Sequence, residues 1–277
     1  MKRNNVKSFQ LTVWSYWKEN GRHDLPWRKT KNPYKILVSE VMLQQTQVPR
    51  VIEKYKSFLK KFPTVRALAK APLSAVLKEW SGLGYNRRGK YLHDAAKEIV
   101  GTYRGNFKEA LKHPPARTTV QSGGLPGVGP YTRSAVKVFA FNEPEVLLET
   151  NVRTAITHHF FQNKKNVKDE SIRTIAELAA KGQDPRTWQS ALFDYGSFLK
   201  RSGVRNNHRS AHYTKQSKFD GSLRQVRGAI LRELQNGPKN QRALHVGHRM
   251  SHMFEKALEG LARDGLIKKE KGKWRIA

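Results

Sequence analysis

The sequence contains no cysteine. Disulfide bonds and thiolate-ligated metal sites are therefore excluded for these 277 residues. No apolar run is long enough to span a membrane, and Met1-Lys2-Arg3 is not followed by the apolar segment of a signal peptide. We therefore expect a cytoplasmic protein that does not contact a membrane.

Acidic residues are also scarce. Asp and Glu number 22 against 53 Lys and Arg, which gives a net charge of +31 that is spread along the chain. Such a charge attracts polyanions and gives a salt-sensitive affinity that is largely independent of sequence. A ribosomal or packaging protein would share this charge, but 38% hydrophobic residues and six Trp indicate a real core. We expect a nucleoid-associated protein with one large or two unequal domains.

Apolar residues recur at helical spacing from Lys7 to about Lys200, and clear strand patterns are scarce before the C-terminus. This part of the chain therefore predicts a mainly α domain. The predicted helices are Lys7–Asn20, a helix starting at Asn32-Pro33-Tyr34, Val51–Phe58, Thr64–Lys70, Pro72–Trp80, Arg87–Val100, Thr132–Phe141, Asn151–Phe161, Lys168–Ala180 and Pro185–Lys200.

The C-terminal part has a different pattern. Ser202–Phe219 is polar and basic with little periodicity, which predicts a loop or linker. A helix capped by Ser222, helices over Gln241–His245 and Ser251–Asp264, and a hairpin turning at Lys271-Gly272 follow. This is the element order of a winged helix. Such modules bind duplex DNA through the third helix or serve as protein–protein adaptors, and both roles stay open.

The stretch Leu125-Pro126-Gly127-Val128-Gly129-Pro130-Tyr131-Thr132 contains two glycines one residue apart. It predicts a tight turn whose backbone N–H groups face outward, followed by the start of a helix. Exposed amides beside a helix N-terminus form an anion site without any side chain. On so basic a chain the expected anion is a nucleic-acid phosphate, although an ordinary Pro-Gly turn is the alternative. Gly82-Leu83-Gly84-Tyr85 predicts a second glycine turn.

Two carboxyl groups are candidates for acid–base chemistry. Glu40 lies in a mostly apolar helical segment, where burial would raise the pKa of the carboxyl and suit it to act as a general acid. Glu149 immediately precedes a helix beginning near Asn151, where the helix dipole favours the ionised form. A solvated Glu40 and a purely capping Glu149 are the alternatives. One protonated and one ionised carboxyl group are what glycosidic-bond cleavage uses.

Residues from about Leu25 to Lys200 resemble the helix-hairpin-helix DNA glycosylases, and within them the MutY family of adenine glycosylases, which act at A·G and A·8-oxoguanine mispairs. The resemblance rests on four segments together, which are Ser39-Glu40-Val41-Met42-Leu43-Gln44-Gln45-Thr46-Gln47-Val48, Trp80-Ser81-Gly82-Leu83-Gly84-Tyr85, Leu125 to Thr132, and Asn151-Val152-Arg153.

The resemblance implies a role for each matching residue. Glu40 matches the general acid that protonates the leaving adenine. Glu149 matches the carboxylate that stabilises the cationic sugar or orients water, with Tyr131 and Asn151 supporting the site. Tyr131 stands where bifunctional relatives carry a Schiff-base lysine, so a monofunctional hydrolase without a lysine adduct is implied. The target base must leave the duplex stack to be cleaved.

The resemblance also implies a DNA interface, with Gln44 and Gln45 at the mispair and Tyr85 in a turn that contacts the opposite strand. The expected partner is double-stranded DNA that contains a mispair or a damaged base, bound by a monomer. The candidate DNA-binding residues are Gln44, Gln45, Gly82, Leu83, Tyr85, Arg87, Arg88, Leu125, Gly127, Val128, Gly129, Thr132 and Arg133.

Three departures from the family pattern stand out. The family's catalytic aspartate falls on Glu149, which extends the carboxylate by about 1.5 Å, and a shift of about 1 Å can cost about a hundredfold in rate. The family's iron–sulfur cysteines are missing between about Lys200 and Gln216, and His208 and His212 are too few to replace them. A winged-helix-like segment stands where many members carry a Nudix-like domain.

We therefore predict a clusterless protein without metal or other cofactor. His245, His248 and His252 could share a helical face and hold a metal ion, but solvated or DNA-facing histidines are favoured. The predicted division is a two-lobed helix-hairpin-helix glycosylase domain over 1–201, a basic linker over 202–221 and a winged-helix-like α+β domain over 222–277.

The favoured function is base excision repair by removal of a mispaired adenine. The nearest alternative keeps the fold and removes thymine, uracil or another deaminated base opposite guanine. The alternative from another class is a non-catalytic DNA-binding protein.

Overall fold

The computed structural model describes residues 3–112, 124–162, 164–204, 206, 219–244 and 253–277, and it is mainly helical, as predicted. Its contacts divide the chain into two units. One comprises Met1–Ile36 and Pro130–Lys215, and the other comprises Leu37–Gly129 and Gln216–Ala277. The predicted domain boundaries remain a prediction. Within the described residues, no helix is both long and apolar enough to cross a membrane.

The first unit is built from five helices in its described residues. Their apolar faces form a core around Phe9, Val13, Val152, Ile156 and Trp188. The helices are α1 (Arg3–Asn20), α8 (Pro130–Phe141), α9 (Thr150–Phe160), α10 (Asp169–Ala180) and α11 (Pro185–Arg201), with a 3-10 turn at Pro26–Arg28. These bounds confirm the predicted helices within three residues, except that α1 begins four residues earlier.

A buried carboxylate fixes the segment that follows α1. Asp194 on α11 is 1% exposed. It accepts hydrogen bonds from the Arg22 backbone N–H at 2.7 Å and the Arg22 Nε at 2.6 Å. Arg28 donates to it with Nη1 at 2.6 Å and Nη2 at 2.8 Å. Because each carboxylate oxygen has charged donors, this buried ion cluster is satisfied.

The second unit contains the glycine turns. Its helices are α2 (Pro33–Leu43), which begins in the first unit, α3 (Val48–Lys61), α4 (Val65–Lys70), α5 (Leu73–Trp80), α6 (Arg87–Gly101), α7 (Phe107–Ala110), α12 (Leu223–Gln235) and α13 (Phe254–Arg263). Helix α3 begins three residues before its predicted start because Pro49 occupies its first turn, where a missing N–H costs nothing.

The C-terminal residues of this unit follow the predicted element order. Strands β1 (Ile267–Glu270) and β2 (Lys273–Ile276) pair antiparallel, with Ile267 opposite Ile276. Lys271 (φ 48°) and Gly272 (φ 74°) are both left-handed, as a two-residue hairpin turn requires. The second predicted helix is a 3-10 turn at Arg242–Leu244. His208, His212, His245, His248 and His252 lie outside the described residues.

Candidate active site and DNA interface

Glu40 lies in the middle of α2 and is 9% exposed. Its neighbours Val38, Ser39, Val41 and Met42 are also buried. The alternative of a Glu on a solvated face is therefore wrong. A buried carboxyl group on a rigid helix is well suited to donate a proton to a bound substrate.

The two glutamines follow directly where α2 ends. Gln45 is exposed and left-handed, with φ 55°, so the chain turns sharply there. Gln44 is partly buried and lines a pocket together with Arg88, Tyr91, Gly127 and Val128. The structure thus brings one predicted mispair contact to the predicted phosphate-binding hairpin within a single unit.

Arg88 links the end of α2 to the glycine turn at residues 82–85 through hydrogen bonds. Its Nη1 donates to the carbonyls of Val41 at 2.9 Å and Met42 at 3.2 Å, and also to that of Gln44. Its Nη2 donates to the carbonyls of Leu83 at 3.0 Å and Gly84 at 3.2 Å.

The Nη1 bonds satisfy carbonyls that the end of α2 leaves without helical partners. Burial lowers the pKa of the Arg88 guanidinium, which nevertheless remains charged at neutral pH. The contacts give Arg88 a positioning role that the sequence did not reveal, and its DNA contact remains a prediction.

The turn at Gly82-Leu83-Gly84-Tyr85 is left-handed at three of its four residues. The φ angles are 90° at Gly82, 71° at Gly84 and 44° at Tyr85. Leu83 is buried and anchors the turn, and the Trp80 indole N–H donates to the Gly84 carbonyl at 3.2 Å. The turn therefore presents the partly exposed Tyr85 at a fixed position.

Arg87 and Arg224 surround this turn. The Arg87 guanidinium stacks on the Tyr91 ring at 5.0 Å and pairs with Asp264 at 3.5 Å. Arg224, from α12, lies over the Tyr85 ring at 5.0 Å and donates to its hydroxyl group. Sequence reasoning missed Arg224, because only the folded chain brings α12 to a turn well over a hundred residues away.

The hairpin at residues 125–129 has the predicted tight form. Leu125 and Val128 are buried and anchor it, and the Val128 N–H donates to the Leu125 carbonyl at 3.1 Å. No described residue accepts a hydrogen bond from the amide of Gly127 or Gly129. The hairpin therefore offers backbone donors to an anion, while its two apolar side chains face the core.

Each glycine of the hairpin has its own physical reason. Gly127 has φ 69°, and a Cβ atom there would lie 2.6 Å from the Tyr91 Cβ. A Cβ atom on Gly129 would meet no atom within 4 Å. Packing explains Gly127, whereas Gly129 borders open space, as expected where a ligand approaches the backbone.

Helix α8 begins at Pro130, two residues before its predicted start, because proline suits the first helical turn. Tyr131 lies in that turn and packs on Ala135, Val138 and Leu147. Thr132 is 4% exposed and Arg133 is partly exposed, and the DNA contacts of both remain predictions.

Glu149 caps α9. Its Oε1 accepts hydrogen bonds from the backbone N–H groups of Asn151 at 2.7 Å and Val152 at 3.0 Å. Since both bonds use Oε1, Oε2 takes no part in the cap. The predicted cap is thus observed, and it does not use the second carboxylate oxygen, Oε2.

The electrostatics of Glu149 differ from the expectation. Desolvation by the surrounding protein raises the pKa of this carboxyl group. The two amide donors and the charges of Lys200 and Arg153 oppose that shift. The sequence indicated only the helix dipole, which favours the ionised form, whereas the surrounding protein reverses the net direction.

Asn151 is held by the packing of α9 on α11. The Lys200 Nζ donates to its Oδ1 at 3.4 Å, and a Cβ atom on Gly196 would lie 2.0 Å from its backbone oxygen. Arg153 forms a two-pronged ion pair with Asp169 at 2.8 and 2.6 Å. Gly196 and Asp169 are supporting residues that no local sequence signal indicated.

The predicted catalytic and binding residues thus form two sets. Glu40, Gln44, Gln45, the 82–88 segment and the 125–129 hairpin belong to one unit, and Tyr131, Thr132, Arg133, Glu149 and Asn151 belong to the other. Among the described residues, no group of three or more His, Asp and Glu side chains could hold a metal ion.

Residues 38–181 match the HhH-GPD superfamily of base excision DNA repair proteins. With the helical fold, the glycine hairpin and the buried acid in place, the chain belongs to this superfamily.

Curated relatives narrow the resemblance to adenine glycosylases of the MutY type, as predicted. An adenine DNA glycosylase of Mycolicibacterium smegmatis is 31% identical over 273 residues, which are 91% of this chain and 90% of the relative. One from Buchnera aphidicola subsp. Baizongia pistaciae is 32% identical over 197 residues, covering 69% of this chain and 52% of the relative. The chain therefore spans about half the length of that relative.

Solved structures share the fold. A thermostable thymine-DNA glycosylase superposes with a TM-score of 0.58 and 26% identity, over 70% of this chain and 87% of that one. A trapped endonuclease III–DNA covalent intermediate has a TM-score of 0.52 and 16% identity, over 74% of this chain and 89% of that one. The second likeness concerns the fold alone.

Proposed function

We propose that this protein is a monofunctional DNA glycosylase that removes a mispaired adenine opposite guanine or 8-oxoguanine. The observation that carries the proposal is the carboxylate of Glu149, whose Oε1 is fixed by two amides while Oε2 lies outside the cap. The buried Glu40 and the adenine DNA glycosylases among the relatives support it.

The proposed reaction uses two carboxyl groups in different roles. Glu40 donates a proton to the adenine ring, and the electron pair of the C1′–N bond leaves with the base. Glu149 stabilises the cationic sugar and accepts a proton from the water that attacks C1′. The products are free adenine and a sugar that carries a hydroxyl group at C1′.

Tyr131 supports hydrolysis over a lysine adduct. It lies in the first turn of α8, and its phenol cannot form a Schiff base with the sugar. We propose that water is the nucleophile and that no iron–sulfur cluster takes part, since the sequence has no cysteine. Borohydride treatment during turnover should trap no protein–DNA adduct, and a trapped adduct would contradict this step.

DNA binding is proposed to use the backbone of the 125–129 hairpin and the net charge of +31. The amides of Gly127 and Gly129, which donate to no residue in the described part of the chain, would hold a phosphate of the strand that carries the target base. The exposed, left-handed Gln45 and the neighbouring Gln44 would contact the mispair. The expected partner is duplex DNA in the nucleoid, bound by one copy of the chain.

The test is single-turnover base release from duplexes that contain A·8-oxoguanine, A·G, T·G, U·G or hypoxanthine pairs. The wild type should release adenine, and Glu40→Gln and Glu149→Gln should each release it at least about a hundredfold more slowly, since acid–base groups contribute about 10²–10⁴-fold. Absence of release from every duplex would overturn the enzymatic function and favour a DNA-binding protein.

A second candidate keeps the mechanism and changes the base. The thermostable thymine-DNA glycosylase is 26% identical to this chain over most of its own length. This likeness favours thymine or uracil opposite guanine as the alternative substrate. Faster release from T·G and U·G than from both adenine mispairs would establish it.

A further inference from the structure

Phe219 is an exposed aromatic residue that the proposed reaction does not use. Phe219 is 54% exposed and lies in the turn before α12. The Phe219 carbonyl accepts a hydrogen bond from the Ser222 backbone N–H at 3.1 Å and from the Ser222 hydroxyl at 2.5 Å. The Gly221 N–H donates to the Gln225 side chain at 2.8 Å. The turn therefore holds this aromatic side chain outward.

The exposed ring is one member of a three-group stack. The Arg224 guanidinium lies 5.9 Å from the centre of the Phe219 ring and 5.0 Å from that of Tyr85. The guanidinium of Arg88 also lies over the Tyr85 ring, 5.5 Å from its centre. We call Tyr85, Arg224 and Phe219 the aromatic stack; all three belong to the same unit.

The packing of the C-terminal helices on the rest of the unit does not explain why an aromatic residue is present at position 219. Val226, Ile230, Leu231 and Leu234 of α12 already pack with Leu77 in a buried core. Polar contacts add to this docking, because Arg87 pairs with Asp264 at 3.5 Å and Gln235 donates to the Leu77 carbonyl at 3.3 Å. An aromatic side chain that remains 54% exposed adds little to that packing.

The chemistry of the aromatic stack fits a nucleobase. Unstacked bases bind on aromatic faces and on arginine planes, whichever base is presented, because every base has a π face. We propose that the aromatic stack binds a DNA base that has left the duplex stack, with Phe219 as its outer platform. This proposal rests on the proposed function in one respect only, which is that the protein binds DNA.

The test measures the affinity of the full-length chain by fluorescence anisotropy for mispaired duplex, matched duplex and single-stranded DNA. Phe219→Ala and Phe219→Leu should each weaken binding to mispaired and single-stranded DNA about tenfold, because neither keeps a π face. Phe219→Trp should bind as the wild type does. The slope of affinity against salt should not change, since stacking releases no counterions.

The matched control is Phe198→Ala, which removes an aromatic residue that is 37% exposed in the other unit. It should leave every affinity unchanged. Phe219→Leu that binds as tightly as wild type, or an equal loss on matched duplex, would overturn the proposal. Base release by the wild type is measured in parallel, so that loss of the proposed function and loss of base stacking are separate results.

Discussion

The hairpin at residues 125–129 yields a paired prediction, because its two glycines are explained by different forces. Gly127→Ala must keep a left-handed φ of 69° and place a Cβ atom 2.6 Å from the Tyr91 Cβ. The left-handed backbone costs about 1–2 kcal/mol, and the overpacking adds about 1–3 kcal/mol. We expect Gly127→Ala to lose about 2–5 kcal/mol of unfolding free energy, from the sum of these two costs.

Gly129→Ala should behave in the opposite way. Its Cβ atom meets nothing within 4 Å, and Gly129 is not among the left-handed glycines. Its unfolding free energy should therefore stay within about 0.5 kcal/mol of the wild-type value. The added methyl group would stand where a phosphate approaches the amides, and losing one charge-assisted hydrogen bond of about 1.5–3 kcal/mol weakens DNA binding about ten- to a hundredfold.

Two assays separate these effects. Urea denaturation gives the unfolding free energies, and fluorescence anisotropy with a labelled duplex at fixed salt gives the dissociation constants. A Gly129→Ala variant that is as stable as the wild type and binds DNA equally tightly would refute the phosphate site. A fully stable Gly127→Ala variant would refute the packing argument at Tyr91.

Three further predictions concern the supporting residues. Asp194→Asn should lose about 3–5 kcal/mol of unfolding free energy in urea at pH 7; because arginine contacts lower the pKa of Asp194 despite its burial, the difference should shrink as pH falls below about 4. Arg88→Lys should lower the melting temperature and slow base release, since one ammonium cannot serve acceptors on α2 and on the glycine turn. Burial lowers the pKa of His159 to about 4, so wild-type unfolding free energy should fall between pH 6.5 and pH 4, and His159→Phe should flatten that part of the curve.

The helices of both units show what apolar periodicity can predict. Their apolar spacing predicted the segments, and a proline in the first turn accounts for two of the differences at their ends. Pro130 begins α8 earlier than predicted, and Pro49 does the same for α3. These differences arise because a proline in the first turn loses no helical hydrogen bond.

Contacts between residues far apart in the chain could not be predicted from the sequence. A single Arg88 looks like any basic residue near a DNA-binding turn, yet its guanidinium is committed to backbone carbonyls of α2 and of the glycine turn. Gly196 carries no motif, and its need for a bare Cα arises only where α11 meets the backbone of Asn151.

The amino-acid sequence was sufficient to predict the helical class, the glycine hairpin, the two carboxyl groups and the absence of thiolate ligands, because periodicity, turn chemistry and composition do not depend on long-range packing. Three properties arise only on folding: Glu40 is buried, desolvation outweighs the helix dipole at Glu149, and Arg224 stacks between Tyr85 and Phe219. Burial, desolvation and stacking depend on which distant segments pack together, and that packing is fixed only when the chain folds.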